Sequence, residues 1–359
     1  MLRISHIHLV QFKCYDQRSF RFQQPIVLLS GRNGIGKTSV LDAIYYLCFT
    51  KSYFATADAP LALQGAKGWR ISGTFLREDE YEVTAILRET GKKEFLCNRE
   101  PYAKRTQHIG RFPCVMIAPD DIEWITGSSE IRRTYLDRMI SQTNAEYLQH
   151  LVQYNKTISQ RNALLKQMAE QGLLQHDLLP FYNQALQQQA HAIFDIRQAV
   201  CAELLPRIQT LYQAWSPDPE QIEITYESNL HERTMLEWLQ LNLPKDLILQ
   251  RTTKGIHRDD LNVRFQNMPF KQVASQGQRK ALLFAIKLAE RDYIFEKTGI
   301  APILLLDDLF EKLDAQRMAR LIDCLVATGS QLIVTDTHEG RAKQAFHAYA
   351  DCCEEINIA

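Results

Sequence analysis

The sequence predicts an α/β fold with an inserted helical arm, because its hydrophobic patterns change twice along the chain. The first hundred residues are mostly of strand type, residues from about 128 to 215 are of helix type, and strands and helices alternate again after residue 250. We therefore expect a head domain formed by residues 1–113 and 250–359. Residues 114–249 are expected to form a helical arm that is inserted into this head.

The predicted head consists of short strands and amphipathic helices. Strands are expected at Ile4–Val10, Ile26–Leu29, Trp69–Leu76, Glu80–Arg88, Leu261–Phe265, Pro302–Asp307 and Gln331–Thr335. Helices are expected at Ser39–Leu47, Ser275–Lys297 and Ala315–Ala327, where apolar residues recur at helical spacing.

The predicted arm contains two long helices separated by a break near Gly172 to Pro180. The second helix has an apolar stripe made of Leu186, Ala190, Ile193, Val200, Leu204, Ile208 and Leu211. This stripe is most simply the packing seam between the two helices. Pro206 is expected to kink the second helix, and Pro217 and Pro219 to lie beyond its end. Helices of roughly 30 residues reach about 45 Å, which fits an arm and not a long coiled coil.

The composition restricts the class of protein. Lys+Arg and Asp+Glu both number 42, so any affinity for nucleic acid must come from a local basic patch. The eight cysteines show no C-x-x-C spacing and indicate reduced thiols of a cytosolic protein, not a disulfide framework or a metal site. No signal-peptide core and no run of 18 apolar residues is present, so we expect a cytoplasmic protein that is not bound to a membrane.

The most informative motif is a glycine-rich loop between a predicted strand and a predicted helix. Gly31, Gly36, Lys37 and Thr38 fit the phosphate-binding pattern G-x-x-x-x-G-K-[ST] at every fixed position. In this geometry Lys37 reaches the β- and γ-phosphates and the Thr38 hydroxyl ligates Mg²⁺. The alternative is a chance glycine turn. The expected nucleotide-binding residues are Gly31, Arg32, Asn33, Gly34, Ile35, Gly36, Lys37, Thr38 and Ser39.

A second motif is the apolar strand that ends in Asp307 and Asp308. A core strand that delivers carboxylates at its C-terminal end is what a site for Mg²⁺ and a nucleotide requires. We expect Asp307 to hold the metal through its water shell, and Asp308 to orient or deprotonate the attacking water. The alternative is a buried strand that ends in a polar turn.

A third motif opens the predicted helix at 275. Ser275, Gln276, Gly277 and Gln278 resemble the signature sequence of ATP-binding-cassette ATPases, although Ser275 alone fits a simple helix N-cap. In that family the Ser and Gly bind the γ-phosphate held by another subunit. The resemblance therefore implies a site that is complete only when two chains meet head to tail around two nucleotides.

Together these motifs are similar to the RecF family of bacterial recombination and repair proteins, and the match runs from end to end. The blocks that carry it are Leu9–Tyr15, Gly31–Ser39, Pro119–Asp121, Arg132–Asp137, Gln160–Lys166, His257–Leu261 and Ser275–Gln278. The resemblance implies an ABC-ATPase head (a P-loop NTPase, Rad50/SMC-head-like) with an inserted α-helical arm. It places Asp314 in the D-loop at the dimer seam.

Two departures from the family pattern affect single residues. Ile256 replaces the usual proline before His257, and Glu311 stands where the family often has Ser. The position of the switch histidine of cassette relatives is occupied by Thr337, while His338 lies one residue further on. A solvent-facing loop histidine is therefore at least as good an interpretation of His338 as a γ-phosphate sensor.

The resemblance also implies a function and partners. It indicates a slow, DNA-stimulated ATPase that uses ATP and Mg²⁺ and forms an ATP-dependent homodimer on gapped DNA. With RecO and RecR, such a protein helps load RecA recombinase at junctions of single-stranded and duplex DNA, and it is linked to replication restart and the SOS response. A cytoplasmic, nucleoid-associated location follows from this interpretation.

The candidate DNA contacts come from local charge. Residues 88–111 contain seven Lys or Arg against three Glu, and Lys92, Lys93, Lys104 and Arg105 are the expected contacts. A charged hairpin face is the alternative. Arg132 and Arg133 fit either solvated ion pairs or contacts with a partner or DNA. His257 fits a buried, hydrogen-bonded histidine, and Arg258 with the following acids fits a brace within the head.

Two other classes of function stay open at this point. A transporter cassette would need a transmembrane partner and would leave the RecF-type blocks unexplained. The other class is a nucleotide-gated binding module, in which ATP turnover is incidental. If repair survives the loss of ATP hydrolysis, binding alone suffices; an obligatory ATPase would not support repair without hydrolysis.

Overall fold

The computed structural model describes residues 1–173, 176–215, 221–308, 315–336 and 340–358. In these ranges the strands are β1 Arg3–Phe12, β2 Tyr15–Arg21, β3 Ile26–Ser30, β4 Trp69–Leu76, β5 Glu80–Leu87, β6 Lys93–Cys97, β7 Glu100–Pro101, β8 Cys114–Ile117, β9 Ile222–Glu227, β10 Asp260–Phe265, β11 Met268–Pro269, β12 Ile303–Leu306, β13 Leu332–Thr335 and β14 Cys353–Asn357. The helices are α1 Lys37–Phe49, α2 Glu123–Thr126, α3 Ser129–Thr143, α4 Ala145–Gln171, α5 Leu178–Trp215, α6 Met235–Leu241, α7 Leu243–Leu249, α8 Phe270–Val273, α9 Gln276–Thr298, α10 Ala315–Ala327 and α11 Arg341–Ala345.

The chain divides into two compact units. One consists of Met1–Asp121 and Arg291–Ala359, and the other of Ile122–Glu290. This division differs from the predicted boundaries at both ends of the arm. Strand β8 belongs to the first unit because it pairs with β12, and β10 belongs to the second because it pairs with β9.

The first unit contains a five-stranded parallel sheet in the order β14-β3-β13-β12-β8. Its three central strands are nearly continuous apolar runs that are buried along their length. Strands of this kind are typical of parallel sheets that are covered on both faces. Within the sheet, β13 lies between β3 and β12, so the ends of these three strands are neighbours.

A second sheet of the first unit is antiparallel, in the order β2-β1-β4-β5-β6-β7. Helix α1 contributes to one hydrophobic core with residues of both sheets. Eleven of its 13 residues are buried, which agrees with an apolar character on nearly all of its sides. The two exceptions are Thr38 and Ser39 in its first turn, so the helix exposes polar groups only where it begins.

The second unit is built around the long helices α4 and α5, which pack on each other. Asn144 accepts a hydrogen bond from the backbone N–H of Tyr147 at the start of α4, and Gly172 ends that helix with a φ of 66°. The predicted stripe on α5 is buried from Leu186 to Ile208, which confirms its role as a packing seam. Pro206 lies inside α5, while Pro217 and Pro219 lie outside the described residues.

Candidate nucleotide-binding site

The loop between β3 and α1 requires glycine at two positions. Gly31 and Gly36 have φ values of 140° and 113°, a region that favours glycine. A Cβ on Gly31 would lie 2.6 Å from the carbonyl oxygen of Ile358, and a Cβ on Gly36 would lie 2.5 Å from the Cys14 Sγ. A side chain at either position would therefore force its neighbours apart. The loop keeps its shape only because both side chains are absent.

Lys37 lies directly beneath this loop. Its Nζ donates hydrogen bonds to the carbonyl oxygens of Gly31 at 2.7 Å and Arg32 at 2.9 Å, and only 6% of the residue is exposed. The ammonium group thus stabilises the loop at the point where α1 begins. A fixed cation beside a glycine-rich loop and a helix N-terminus forms a binding site for a phosphate group.

Asp307 follows β12 and is held by hydroxyl groups from two other elements. The Thr38 hydroxyl donates to its two carboxylate oxygens at 2.9 and 3.1 Å, and the Thr335 hydroxyl donates to Oδ1 at 2.7 Å. Burial raises the pKa of Asp307, while these hydrogen bonds and the charges of Lys13 and Lys37 act in the opposite direction. The two residues predicted to hold Mg²⁺, Thr38 and Asp307, are therefore in direct contact.

Asp308 is oriented by the same threonine. Its backbone N–H donates to the Thr335 hydroxyl at 3.1 Å, and its φ of 44° is unusual for a residue other than glycine. The Thr335 hydroxyl therefore contacts the carboxylate of Asp307 and the backbone of Asp308. One side chain links the two acidic residues.

These residues fit a magnesium ion bound together with a nucleotide. Magnesium prefers oxygen ligands, and it is usually held by one or two carboxylates together with substrate phosphates. The Thr38 hydroxyl and the Asp307 carboxylate supply such oxygens beside the phosphate-binding loop. Among the described residues no group of three or more His, Cys, Asp or Glu side chains is placed to hold a metal.

The order of strands in the parallel sheet explains why these side chains meet. The loop follows β3, Thr335 ends β13, and Asp307 follows β12, and these strands are consecutive neighbours. All three run in the same direction, so their carboxyl ends lie at one edge of the sheet. Ligands of open α/β sheets bind at this edge.

Two features of the site were not predicted from the sequence. One is Thr335, which is fully buried at the end of a strand that was itself predicted. The other is the fully buried Asp42 of α1, which pairs with Lys13 at 2.6 Å and accepts from the Ser52 hydroxyl at 2.7 Å. An acid within an otherwise apolar helix was the available signal for Asp42. No local signal identifies Thr335.

The signature-like segment lies at the start of α9. The Ser275 hydroxyl accepts from the backbone N–H of Gln278 at 3.2 Å, and the Gln278 side chain accepts from the backbone N–H of Ser275 at 2.7 Å. This reciprocal pair is a capping box, so Ser275 is the N-cap of α9. Ser275 and Gln276 are exposed, and Gly277 is partly exposed. The role of the segment towards a second chain stays a prediction.

The basic segment 88–111 is partly neutralised. Arg88 and Lys92 lie 2.8 and 3.7 Å from Glu94, while Lys104 and Arg105 are exposed. Lys93 is bound internally: its Nζ is 2.9 Å from Asp58, and burial lowers its pKa. Lys93 therefore does not lie on an open face, and the four predicted DNA contacts do not form one continuous patch of free charge.

The residues around the His-Arg-Asp-Asp block brace the second unit. Arg132 forms a bidentate ion pair with the Asp260 carboxylate, at 2.6 and 3.0 Å. The fully buried Arg197 donates a hydrogen bond to the Asp259 carboxylate at 2.6 Å. His257 contacts the Tyr154 hydroxyl at 2.7 Å and the Thr252 carbonyl oxygen at 3.1 Å. His257 is thus hydrogen-bonded and partly buried, and the two acids have an internal bracing role. The prediction that Arg258 and these acids brace the head was wrong for Arg258, which is exposed, and the block lies in the second unit.

Four further residues that the sequence singled out lie outside the described residues. They are Glu311, Asp314, Thr337 and His338.

The comparison with known sequences identifies relatives along nearly the whole chain. The family model of the RecF/RecN/SMC N terminal domain matches residues 3–354. The DNA replication and repair protein RecF of Flavobacterium johnsoniae is 38% identical over 348 residues, which cover 95% of this chain and 96% of that protein. The corresponding protein of Cytophaga hutchinsonii is 40% identical, with 96% of this chain and 92% of that protein covered.

Solved structures with the same fold include two kinds of ATPase head. The recombination mediator protein RecF with ATP, of the RecFOR pathway, superposes with a TM-score of 0.88 at 27% identity, covering 95% of this chain and 93% of that one. The Smc head domain of Pyrococcus furiosus has a TM-score of 0.56 at 17% identity, covering 100% and 94%, and shows the fold alone. These neighbours confirm the predicted ABC-ATPase head fold. Among the described helices, none has the length and apolar character of a membrane-spanning segment.

Proposed function

Because the chain belongs to the RecF family of DNA replication and repair proteins, we propose that it is an ATP-dependent DNA-binding protein of recombinational repair with a slow ATPase activity. The observation that carries the proposal is the contact of Thr38 with Asp307 beside the loop that Lys37 stabilises. Nucleotide binding and DNA repair are further supported by relatives named for DNA repair and by a related structure described with ATP.

In the proposed site each residue has a separate role. The loop from Gly31 to Ser39 surrounds the phosphates, and Lys37 binds the β- and γ-phosphate oxygens. Thr38 and Asp307 would hold Mg²⁺, which when bound neutralises charge on the phosphates. Asp308 orients or deprotonates the attacking water, while Thr335 holds the Asp307 carboxylate and the Asp308 backbone. Catalysis of this kind depends on positioning and on electrostatic stabilisation of the transferred group.

The complete site is proposed to contain two chains. Ser275 and Gly277 of one chain are proposed to contact the nucleotide held by Lys37 of the other, with Asp314 at the seam. The exposure of Ser275 and Gln276 supports this role, because a second chain can approach them. ATP would then link two copies of the protein, and hydrolysis would separate them.

The proposed biological role concerns gapped DNA. The dimer would bind junctions of single-stranded and duplex DNA and, with RecO and RecR, help load RecA recombinase there. A link to replication restart and the SOS response belongs to the same proposal. Among the residues first expected to contact DNA, Lys92, Lys104 and Arg105 stay candidates because they are exposed.

Two substitutions test the assignment of the ATP site. Lys37→Ala should abolish nucleotide binding, because it removes the cation that binds the phosphates and two hydrogen bonds within the loop. Asp308→Asn should keep ATP bound but slow its hydrolysis, since the amide cannot take a proton from water. ATP binding and turnover are measured by calorimetry and by phosphate release. Equal ATP affinity in Lys37→Ala and wild type would refute the assignment.

The sharing of the site between chains is tested by mixing two inactive variants. Ser275→Arg should bind ATP as a monomer without hydrolysing it, since bulk and charge at the start of α9 exclude the second chain. A heterodimer with Lys37→Ala carries both lesions in one composite site and leaves the other site intact. ATPase activity should therefore partly return on mixing. Full activity of Ser275→Arg alone would contradict the shared site.

A further inference from the structure

The second unit carries two cations close to one tryptophan ring, the exposed Arg233 and the partly exposed Lys254. Lys254 Nζ lies 4.4 Å from the centroid of the Trp238 ring, and the Arg233 guanidinium carbon lies 5.7 Å from it. The two positive charges are therefore no more than about 10 Å apart. Arg258 is exposed on the 3₁₀ turn Ile256–Arg258 that follows Lys254. We call Arg233, Lys254 and Arg258 the Trp238 cation group.

The backbone around this group is fixed by close packing. Gly255 has a φ of 127°, and a Cβ there would lie 2.7 Å from Cε of Met235, the first residue of α6. The Trp238 Nε1–H donates to the carbonyl oxygen of Asn229 at 2.8 Å, which orients the ring. The turn Asn229–His231 in turn packs against the turn Ile256–Arg258. The backbone next to Lys254 is thus held beside α6, and the turn that bears Arg258 is held beside the turn Asn229–His231.

Within the described ranges, none of the three members of the Trp238 cation group forms an ion pair with a carboxylate. Glu237 interacts with Arg233, but it is already hydrogen-bonded: hydrogen bonds from Thr234 lower the pKa of Glu237, and the charge of Arg233 adds to this effect. Residues 250–258 contain three Lys or Arg and one His, and no Asp or Glu. Basic residues that lack partners within a fold are suited to an anionic ligand.

We propose that the Trp238 cation group binds the phosphodiester backbone of nucleic acid. The proposal rests on the proposed function, which requires a DNA surface, and it assigns a DNA contact to the second unit in addition to the exposed candidates Lys92, Lys104 and Arg105. Along one strand of duplex DNA the charges follow each other every roughly 3.4 Å of the axis, so cations up to about 10 Å apart can contact different phosphates of one strand.

The contact should be with phosphates and not with bases. Only 8% of Trp238 is exposed, so its ring is not free to stack on a base and instead holds the cations in place. Recognition by phosphate contacts is independent of sequence and sensitive to salt. Such recognition agrees with a protein that recognises the structure of DNA and not its sequence.

The experiment compares two triple variants of the full chain with wild type. Arg233→Gln, Lys254→Gln and Arg258→Gln together remove the charge, whereas Arg233→Lys, Lys254→Arg and Arg258→Lys keep it. Binding to a labelled duplex and to a single strand is measured with ATP from about 50 to 200 mM salt. The charge-removing variant should bind about tenfold or more weakly, and its salt slope for duplex should fall by about 0.9 for each lost contact. The charge-keeping variant should behave like wild type.

ATP binding and thermal melting of both variants identify any loss of folding. If the charge-removing triple does not fold, the single substitution of the exposed Arg258 by Gln should still lower the slope by about 0.9. Unchanged DNA affinity and slope in a folded charge-removing variant would overturn the inference. Binding to polyglutamate is measured in parallel. If the charge-removing variant loses polyglutamate binding but keeps DNA binding, the inference is overturned, because the surface then fits an acidic protein. Failure of wild type to bind DNA would instead refute the proposed function.

Discussion

Replacing Thr335 by Val tests whether one hydroxyl group positions both acidic residues of the ATP site. Valine has nearly the shape of threonine, so the substitution removes the hydroxyl without leaving a cavity. Two hydrogen bonds are lost: the one donated to Asp307 at 2.7 Å and the one accepted from the backbone N–H of Asp308 at 3.1 Å. The residue is fully buried, so water does not replace them.

The size of the effect follows from the kind of bond that is lost. A hydrogen bond to a charged group contributes about 1.5–3 kcal/mol, and a neutral one contributes about 1 kcal/mol. Outer hydrogen bonds to a metal-binding carboxylate typically change metal affinity or activity by about 10- to 100-fold. We therefore expect the Mg²⁺ concentration needed for half-maximal ATPase activity to rise by roughly tenfold or more. The Lys37 contacts are untouched, so ATP binding without Mg²⁺ should stay near that of wild type.

The assay measures ATPase activity against Mg²⁺ and pH, with Thr335→Ser as the matched control that keeps the hydroxyl. The hydrogen bond from Thr335 lowers the pKa of Asp307, against the larger effect of burial. Its loss should raise that pKa further and move the acidic limb of the pH profile to higher pH. Thr335→Ser should move neither the Mg²⁺ requirement nor the acidic limb. A Thr335→Val enzyme with the wild-type requirement and profile would refute the positioning role.

Two further predictions concern stability and accessibility. Burial lowers the pKa of His108 to about 4, and its ring is held between the Tyr102 hydroxyl and the Leu47 carbonyl oxygen. Because the folded pKa lies below the unfolded value of 6.5, the unfolded chain takes up the proton first. Stability is therefore full above pH 6.5 and falls by up to about 3 kcal/mol as the pH drops to 4. Urea titrations at several pH values should show a smaller fall in His108→Gln, and an equal fall would contradict this account. The exposed Cys14 thiol lies 3.8 Å from the Ile35 carbonyl oxygen in the phosphate-binding loop, so ATP at ten times its Kd should slow alkylation of Cys14 about tenfold. Alkylation is followed by mass spectrometry, and Cys14→Ser is the control that identifies the signal of Cys14. An alkylation rate that ATP leaves unchanged would place the nucleotide elsewhere.

The parts of the site that the sequence predicted are those with a local pattern. The glycine loop, Lys37 and the acid pair at 307–308 are recognised because each motif consists of a few consecutive residues. The long helices were predicted because their apolar stripes repeat over many turns. In both cases the information lies close together along the chain.

The parts that were not predicted depend on residues far apart in the chain. Thr335 becomes important only because β13 lies between β3 and β12, and strand order is not visible in a single strand. Strand β9 pairs with β10 from more than thirty residues away, so β10 was assigned to the head although it joins the helical unit. Lys93 looked like a free cation because its partner, Asp58, lies in another segment.

The mass of the protein in solution, with and without ATP, tests most directly the claim that two chains share each nucleotide site. Asp308→Asn is the variant of choice, because it should hold ATP without consuming it. Its mass should double when ATP is added, and the same protein with Ser275→Arg should stay a monomer. A protein that binds ATP fully yet remains a monomer at every concentration would contradict the account.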